Sequence, residues 1–463
     1  MTVAFEPGSY RDRSSRVLVE GDRVLRALGP EALADWEALE ATTFFARAVR
    51  EGRVVRTERL AGAAGLLPPG DWRAVLRHEA VPFVSYPYEW SFGMLRDAAL
   101  LHLDLLLEAL DEGMTLKDAS PYNVQWVGAR PVFIDVGSFE RLEPGDVWVG
   151  YRQFCELFLY PLLVQALRDV PFQPWLRGRL DGIPAEVASG LLTGLDRLRP
   201  AVLLHVWLQA RLQARFGGAA VRDALRSAEF SRAAIAANVR RLARTIRGLT
   251  WRRSRSTWSE YDRTHGYTEP DHARKAAFVS EAARARSRRL VWDLGCNTGR
   301  FARLAAETGA YVVAMDSDHL AVERLYRALR EEGHRGILPL VVDLVDASPG
   351  LGWRGLERKP LAARGRPDLV LCLALIHHVV LGANVPLAEF VDWLAGLGGD
   401  VVIEFVTRDD PMVGRLLMNK DDRYRDYDVE PFERALEARF AVEGREALAS
   451  GTRILYYAAR GRR

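Results

Sequence analysis

Lysine and cysteine are both scarce in this sequence. Of the 64 basic side chains only four are lysines, at positions 117, 275, 359 and 420, and the rest are arginines. The three cysteines, Cys155, Cys296 and Cys372, lie far apart without CxxC spacing. This pattern excludes a disulfide framework and a zinc module, and it predicts a reducing, cytoplasmic setting.

Long apolar runs are also missing. No stretch of about 18 apolar residues occurs, so no membrane span is predicted. The N-terminus lacks the basic and apolar regions of a secretory signal. Basic and acidic side chains nearly cancel, 64 against 61, which argues against a chain that binds polyanions along its whole length. With 463 residues, 49% of them hydrophobic, the chain is long enough for two or three domains.

Two regions with different patterns are separated by a basic stretch. Residues 1–230 predict a mainly helical α+β domain, with strand-like segments at 53–60 and 81–88 and a hairpin over 124–135. From Leu290 onward strands and helices alternate, and two strand-like runs close the chain. This order predicts an α/β domain over 261–463, in which a Rossmann-like parallel sheet carries an antiparallel hairpin at its edge.

The connection, residues 231–260, is rich in arginine. Between Phe230 and Ser259 there are eight arginines and no acidic residue. Two interpretations are open: contacts with phosphate-bearing partners such as RNA, or a solvated helix face. Arg240, Arg241, Arg244 and Arg247 recur at helical spacing, which favours the solvated face. Nucleic acid is therefore not an expected partner.

A glycine turn between a strand and a helix is the main functional signal. Residues 291–299 read VWDLGCNTG, in which backbone without a Cβ allows close approach of a ligand to the helix N-terminus. Asp316 closes the second strand, where an acid can accept both hydroxyls of a ribose. Asp343 closes the third strand and is placed to accept from an adenine amino group. The alternative is a glycine turn that merely joins strand and helix.

The motif DLGCNTG resembles the first motif of class I S-adenosylmethionine-dependent methyltransferases. The order of elements is similar to the seven-stranded sheet of that family, from about Tyr261 to the C-terminus. The resemblance implies S-adenosylmethionine as cofactor. No third glycine follows Arg300, which disfavours a nicotinamide cofactor. The resemblance to these methyltransferases also implies that Asp316 binds the ribose and that Asp343 binds the adenine. It further implies that the methionine end is lined by Asp293, Gly295, Cys296, Asn297 and Gly299. Two further candidates, Tyr267 and Lys275, precede the first strand, where these enzymes often lay a segment over the cofactor.

The C-terminal part more specifically resembles a bacterial methyltransferase subgroup related to the nodulation protein NoeA. The segments that carry this resemblance are residues 373–395, 403–417, 423–436 and 451–460. The resemblance implies methyl transfer but does not identify the acceptor. A small molecule, a saccharide and a carrier-bound intermediate all remain open, as do the oligomeric state and the pathway.

Three side chains at strand ends are candidates for catalysis. His377 and His378 follow the fourth strand, and either imidazole could remove a proton from the acceptor. The alternative is that one histidine packs or caps the helix while the other contacts the acceptor without proton transfer. Glu404, on the fifth strand, could orient the acceptor or a histidine, or could be a solvated strand-end acid.

The N-terminal half contains Asp118, Asn123 five residues later, and Asp135 after a short hairpin. This spacing resembles the catalytic and metal-binding segments in the C-lobe of kinases, in which an Asp orients the hydroxyl and an Asn and a second Asp bind metal. However, Leu116 stands where the catalytic-loop histidine is expected, no glycine-rich loop precedes it, and no lysine occurs before Lys117.

These departures favour a degenerate kinase-like scaffold that recognises the acceptor. A divergent phosphotransferase and a coincidence of loop residues are the alternatives. The sequence therefore predicts a two-domain methyltransferase without a metal. The competing hypotheses are a non-catalytic cofactor-binding or scaffold protein and a bifunctional methyltransferase and phosphotransferase.

Overall fold

The chain folds into two compact units. The computed structural model describes residues 4–21, 23–62, 67–143, 145–211, 232–256, 268–418, 420 and 424–461. The first unit comprises Met1–Trp126, Pro131–Arg253 and Gly350–Arg358, and the second comprises Val127–Arg130, Ser254–Pro349 and Lys359–Arg463. The domain limits expected from the sequence, near 230 and 260, fall at residues outside those described.

The first unit begins with a four-stranded antiparallel sheet. Its strand order is β1-β2-β4-β3, and its core is an apolar cluster of Leu18, Leu25, Ala27 and Val75. Two smaller sheets pair β5 with β8 and β6 with β7. The strands are β1 (Ser15–Glu20), β2 (Arg23–Leu28), β3 (Thr57–Leu60), β4 (Ala74–His78), β5 (Met114–Leu116), β6 (Val124–Val127), β7 (Arg130–Phe133) and β8 (Phe139–Arg141).

Helices make up most of the remainder of the first unit. The long helix α3 begins with Ser91 as N-cap, and fourteen of its twenty residues are buried. The helices are α1 (Pro30–Glu40), α2 (Thr43–Arg50), α3 (Phe92–Asp111), α4 (Tyr151–Phe154), α5 (Tyr160–Arg168), α6 (Gln173–Gly178), α7 (Ala185–Leu191), α8 (Pro200–Val202) and α9 (Arg232–Arg247). The mainly helical α+β character expected for this half is therefore confirmed.

The prediction of one strand in this half is wrong. Residues 81–88 form no strand, and a short 3-10 turn covers Pro87–Glu89. Pro82 and Pro87 lack the backbone N–H that a strand ladder needs, which explains the difference.

The basic helix α9 packs its apolar face against α3. Its buried residues are Ile235, Ala236, Val239, Leu242, Ala243 and Ile246, whereas Arg240, Arg241, Arg244 and Arg247 are exposed. The arginines therefore lie on a solvated face. Because its apolar stripe is buried, this helix is part of the first unit rather than a free connection.

The second unit contains the seven-stranded sheet expected from the alternating pattern. Its order is β11-β10-β9-β12-β13-β15-β14. The first five strands of that order are parallel, and β15 pairs antiparallel with both β13 and β14. The strands are β9 (Leu290–Leu294), β10 (Tyr311–Asp316), β11 (Ile337–Val341), β12 (Leu369–Cys372), β13 (Asp400–Val406), β14 (Phe440–Ala447) and β15 (Arg453–Arg460).

The helices of the second unit begin at well-formed caps. Thr268 forms a capping box with Asp271, and Asp318 accepts hydrogen bonds from the backbone N–H groups of Leu320 and Ala321. The helices are α10 (Glu269–Arg284), α11 (Arg300–Ala306), α12 (His319–Glu331), α13 (Leu387–Leu397), α14 (Pro411–Leu417) and α15 (Val429–Glu437). Among all the residues described, no helix combines the length and the hydropathy that crossing a membrane requires.

A buried ion pair joins the sheet to the segment that precedes it. Arg288 Nη2 lies 2.7 Å from Asp400 Oδ2, with side-chain exposures of 4% and 9%. The Tyr457 hydroxyl and the Arg460 backbone N–H also donate to this carboxylate, at 3.1 and 2.9 Å. Asp400 thereby connects β13 to β15 and to the residues before β9.

We predict that Asp400→Ala lowers the local free energy of unfolding of β13 and β15 by about 3 kcal/mol, because it leaves the Arg288 cation buried without its carboxylate. Hydrogen exchange of the amides in those strands measures this quantity. The matched control is Asp392→Ala. Asp392 pairs with Arg439 at nearly half exposure on both sides, so its loss should cost under about 1 kcal/mol. Equal small losses in the two variants would contradict the prediction.

Candidate functional site

A strained turn after β9 forms one wall of the site. Gly295 and Gly299 have φ angles of 74° and 81°, and Asn297 between them has 48°. A Cβ on Gly299 would lie 2.5 Å from Leu325 Cδ1, so no larger residue fits without displacing that side chain. The turn therefore requires glycine for both its conformation and its packing.

Asp316 fixes this turn to the end of the neighbouring strand β10. Its Oδ2 accepts from the Asn297 backbone N–H at 2.8 Å, and its Oδ1 accepts from the Asp318 backbone N–H at the same distance. Burial raises the pKa of Asp316. Each carboxylate oxygen retains a second lone pair for a ligand.

A cavity of about 250 Å³ lies where the carboxyl ends of the parallel strands meet. This is the expected position for a ligand in an open α/β sheet. Its walls consist of Gly295, Asn297, Asp316, Ser317, Val342, Asp343, Leu344, Val345, Leu373, Ala374, Leu375, His378, Val379 and Ala383. Five of the residues predicted from the sequence are among them: Gly295, Asn297, Asp316, Asp343 and His378.

The end of β12 contributes a strained residue to the cavity. Ala374 has a φ of 51°, which is unusual for a residue with a Cβ. It precedes the short π-helical turn that begins at His378. Such strain is concentrated at functional sites, where surrounding packing maintains it.

Asp293 on β9, and Cys296 and Gly299 in the turn that follows it, are not among the residues of the cavity wall. Asp293 is 2% exposed, and its Oδ2 accepts no hydrogen bond from the described residues. Burial and the neighbouring Asp316 raise the pKa of Asp293 to about 7. Burial likewise raises the pKa of the Cys296 thiol, which disfavours a nucleophilic thiolate there.

Lys275 and Glu404, predicted for different roles, form a buried ion pair. Lys275 Nζ lies 2.6 Å from Glu404 Oε2, with side-chain exposures of 4% and 0%. Burial lowers the pKa of Lys275, and the Glu404 charge opposes that shift. Neither side chain is part of the cavity wall. The pair is therefore suited to hold the elements around the cavity in place rather than to contact a ligand directly.

Two residues that the sequence reasoning missed extend this ion pair. Arg453 lies 3.5 Å from Glu404 Oε1, and its Nε donates to Asp410 Oδ2 at 2.9 Å. Arg453 begins β15, and Asp410 is the N-cap of α14. Neither position carries a local motif, so only the fold brings them to Glu404.

The two adjacent histidines occupy different environments. Their ring centroids are 4.0 Å apart, but His378 forms part of the cavity wall whereas His377 is completely buried. Neither ring nitrogen of His377 has a hydrogen-bond partner among the described residues. Burial lowers the pKa of both, to about 4 for His378, where Arg453 contributes. His378 is therefore a neutral imidazole at the cavity wall.

The remaining predicted residues lie elsewhere. Tyr267 is outside the described residues. In the first unit, Asp118, Asn123 and Asp135 belong to one hydrogen-bonded cluster with Ser138. Within the described part of the chain, no group of three His, Cys, Asp or Glu side chains is arranged to hold a metal ion.

Solved structures resemble parts of this chain only weakly. Magnesium protoporphyrin IX methyltransferase (ChlM) from Synechocystis PCC 6803, with bound SAH, is 17% identical, covers 41% of this chain and 84% of its own, and gives a TM-score of 0.30. The bifunctional kinase-methyltransferase WbdD is 17% identical and covers 42% and 40%, with a TM-score of 0.30. The N-methyltransferase NodS from Bradyrhizobium japonicum WM9 is 12% identical and covers 42% and 98%, with a TM-score of 0.31. These scores are too low to support a functional assignment.

Comparison of sequences gives a much stronger match. No family model matches the chain. The nodulation protein NoeA of Rhizobium meliloti (strain 1021), however, is 35% identical over 454 residues, which represent 97% of this chain and 94% of NoeA. Identity of this extent along almost the whole of both chains shows that the protein belongs to the family of the nodulation protein NoeA.

Proposed function

We propose that the second unit binds S-adenosylmethionine and transfers its methyl group to an acceptor that is a small molecule, a saccharide or a carrier-bound intermediate. The observation that carries this proposal is the cavity whose glycine turn is hydrogen-bonded to Asp316. The sheet order, with an antiparallel strand next to β13, supports the same assignment.

The residues at the cavity fit this cofactor. The carboxylate of Asp316 is oriented by two backbone N–H groups and has further lone pairs for the two ribose hydroxyls. The Asp343 side chain accepts from the Val345 backbone N–H at 3.1 Å and would bind the adenine amino group. Asp293 is not part of the cavity wall, but its buried Oδ2 has no hydrogen-bond partner among the described residues, and its charge would oppose the positive charge of the methionine end. When bound, the cofactor supplies an electrophilic methyl group on a sulfonium.

Within this proposal, His378 is the group that accepts the acceptor's proton. It is part of the cavity wall, and its imidazole is neutral near pH 7, which is the form that can take up a proton. His377 lies behind it, and Glu404 is held by Lys275, so both act by positioning rather than by contact. We propose that the first unit recognises the acceptor or its carrier.

The three cysteines are unpaired and buried. This agrees with the proposed cytoplasmic setting.

We predict that Asp316→Ala reduces the affinity for S-adenosylmethionine at least tenfold, because it removes the ribose acceptor and the partner of the Asn297 N–H. Isothermal titration calorimetry with the full chain measures the change. Glu437→Ala, which removes an exposed carboxylate at the end of α15, should leave the affinity unchanged. No binding heat with the wild-type protein would refute the cofactor assignment.

Affinity for the cofactor should depend on pH through Asp293. Because the pKa of this carboxyl is raised to about 7, it ionises between pH 6 and 7.5, and only the ionised form attracts a cationic ligand. We expect affinity to rise by about tenfold over this range in the wild-type protein, as the ionised fraction increases. In Asp293→Asn, the affinity for the cofactor should change less than threefold over the same pH range. A parallel pH dependence in both proteins would assign the effect to another group.

The role of His378 is testable before the acceptor is identified. Methyl-labelled S-adenosylmethionine is incubated with the protein and an extract of cells that lack the gene, and labelled product is counted. We expect His378→Ala to lower incorporation by about a hundredfold or more, a loss much larger than any accompanying loss of cofactor affinity. Cofactor binding by the wild-type protein without labelled product from any extract would favour a non-catalytic binding protein.

A further inference from the structure

A polar cluster in the first unit is not used by the proposed methyl transfer. It joins the loop after β5, the turn before β6 and the turn after β7. Asn123 Nδ2 donates to Ser138 Oγ at 3.0 Å and to the Asp118 backbone carbonyl at 3.4 Å. Ser138 Oγ in turn donates to Asp135 Oδ2. These hydrogen bonds hold together four residues that lie no more than 20 positions apart in the sequence.

A guanidinium from the four-stranded sheet closes this cluster. Arg26, on β2, places Nη2 2.7 Å from Asp135 Oδ1, with side-chain exposures of 12% and 24%. Its Nη1 also donates to Ser15 Oγ on β1 at 2.9 Å. Burial raises the pKa of Asp135, but Arg26 and then Ser138 outweigh burial and bring the pKa below its usual value. Lys117 contributes at longer range.

Among the described residues, no cation forms an ion pair with the second carboxylate of the cluster, that of Asp118. Asp118 Oδ1 is buried and accepts no hydrogen bond from the described residues. Burial, and next the charge of Asp135, raise the pKa of Asp118. Asp118 and Asp135 thus repel each other, with the Asn123 amide beside them, and the guanidinium of Arg26 pairs with Asp135 alone.

We propose that Asp118, Asn123 and Asp135 form a latent divalent-cation site, which the guanidinium of Arg26 closes by supplying the positive charge internally. Carboxylate and amide oxygens are the ligands that Mg²⁺ and Mn²⁺ prefer, and one or two carboxylates completed by water are sufficient. A metal ion would have to displace a guanidinium that is anchored to both Asp135 and Ser15. The wild-type unit therefore works without a metal, as a recognition scaffold rather than a metal-dependent phosphotransferase.

The test is a titration of the full chain with MnCl₂, in which the EPR signal of free Mn²⁺ reports binding. We expect Arg26→Met, which keeps the aliphatic bulk but removes the charge, to bind one Mn²⁺ at least ten times more tightly than the wild-type protein. Arg26→Lys, which keeps the charge, should behave like the wild type. Adding Asp135→Asn to Arg26→Met should abolish the gained site, which locates the ion at this cluster.

Circular dichroism establishes that each variant is folded. If Arg26→Met does not fold, Arg26→Gln provides the same comparison, because its amide can still donate to Ser15. Equal Mn²⁺ binding by wild type and neutral variants, whether both bind or neither does, would overturn the proposal. A gained site that survives Asp135→Asn would overturn it as well. None of these outcomes depends on whether the second unit binds S-adenosylmethionine.

Discussion

A buried chain of alternating charges holds the site together. Lys275, Glu404, Arg453 and Asp410 follow one another at ion-pair distances, and none of their side chains is more than 5% exposed. Removing any one of them would leave a neighbour as an uncompensated buried charge, which typically costs about 3–5 kcal/mol. These charges fix α10, β13, β15 and the start of α14 relative to one another at the carboxyl edge of the sheet. The cavity is built on that edge.

The walls of the cavity depend on backbone conformation as much as on side chains. The glycine turn and Ala374 both adopt positive φ, and Asp316 holds the turn against β10. Only one of the two histidines after β12 becomes part of the cavity wall. The sequence could nominate both but could not choose between them, because adjacent residues that start a helical turn point in different directions, and their packing decides which one is buried.

In the first unit, the fold brings a cation to a carboxylate where the sequence gives no sign of the pairing. The lack of lysine before position 117 argued against a phosphate-binding cation in this half. The fold instead places Arg26, on strand β2 of the β1–β2 hairpin, next to Asp135. No motif in the sequence marks this arginine. The β1–β2 hairpin itself was not predicted, and residues 81–88 were wrongly assigned to a strand. Apolar alternation alone does not separate a half-buried strand from an extended, proline-containing loop.

The sequence by itself determined the seven-stranded sheet, the glycine turn and the acids at the strand ends. These features depend on local periodicity and on fixed spacing after each strand, which a sequence displays directly. Tertiary structure alone decided that Lys275 pairs with Glu404, 129 residues away, that Arg453 and Asp410 extend the pair, and that Arg26 neutralises Asp135. A charge in a sequence does not reveal its partner, because burial and proximity arise only when distant segments pack together.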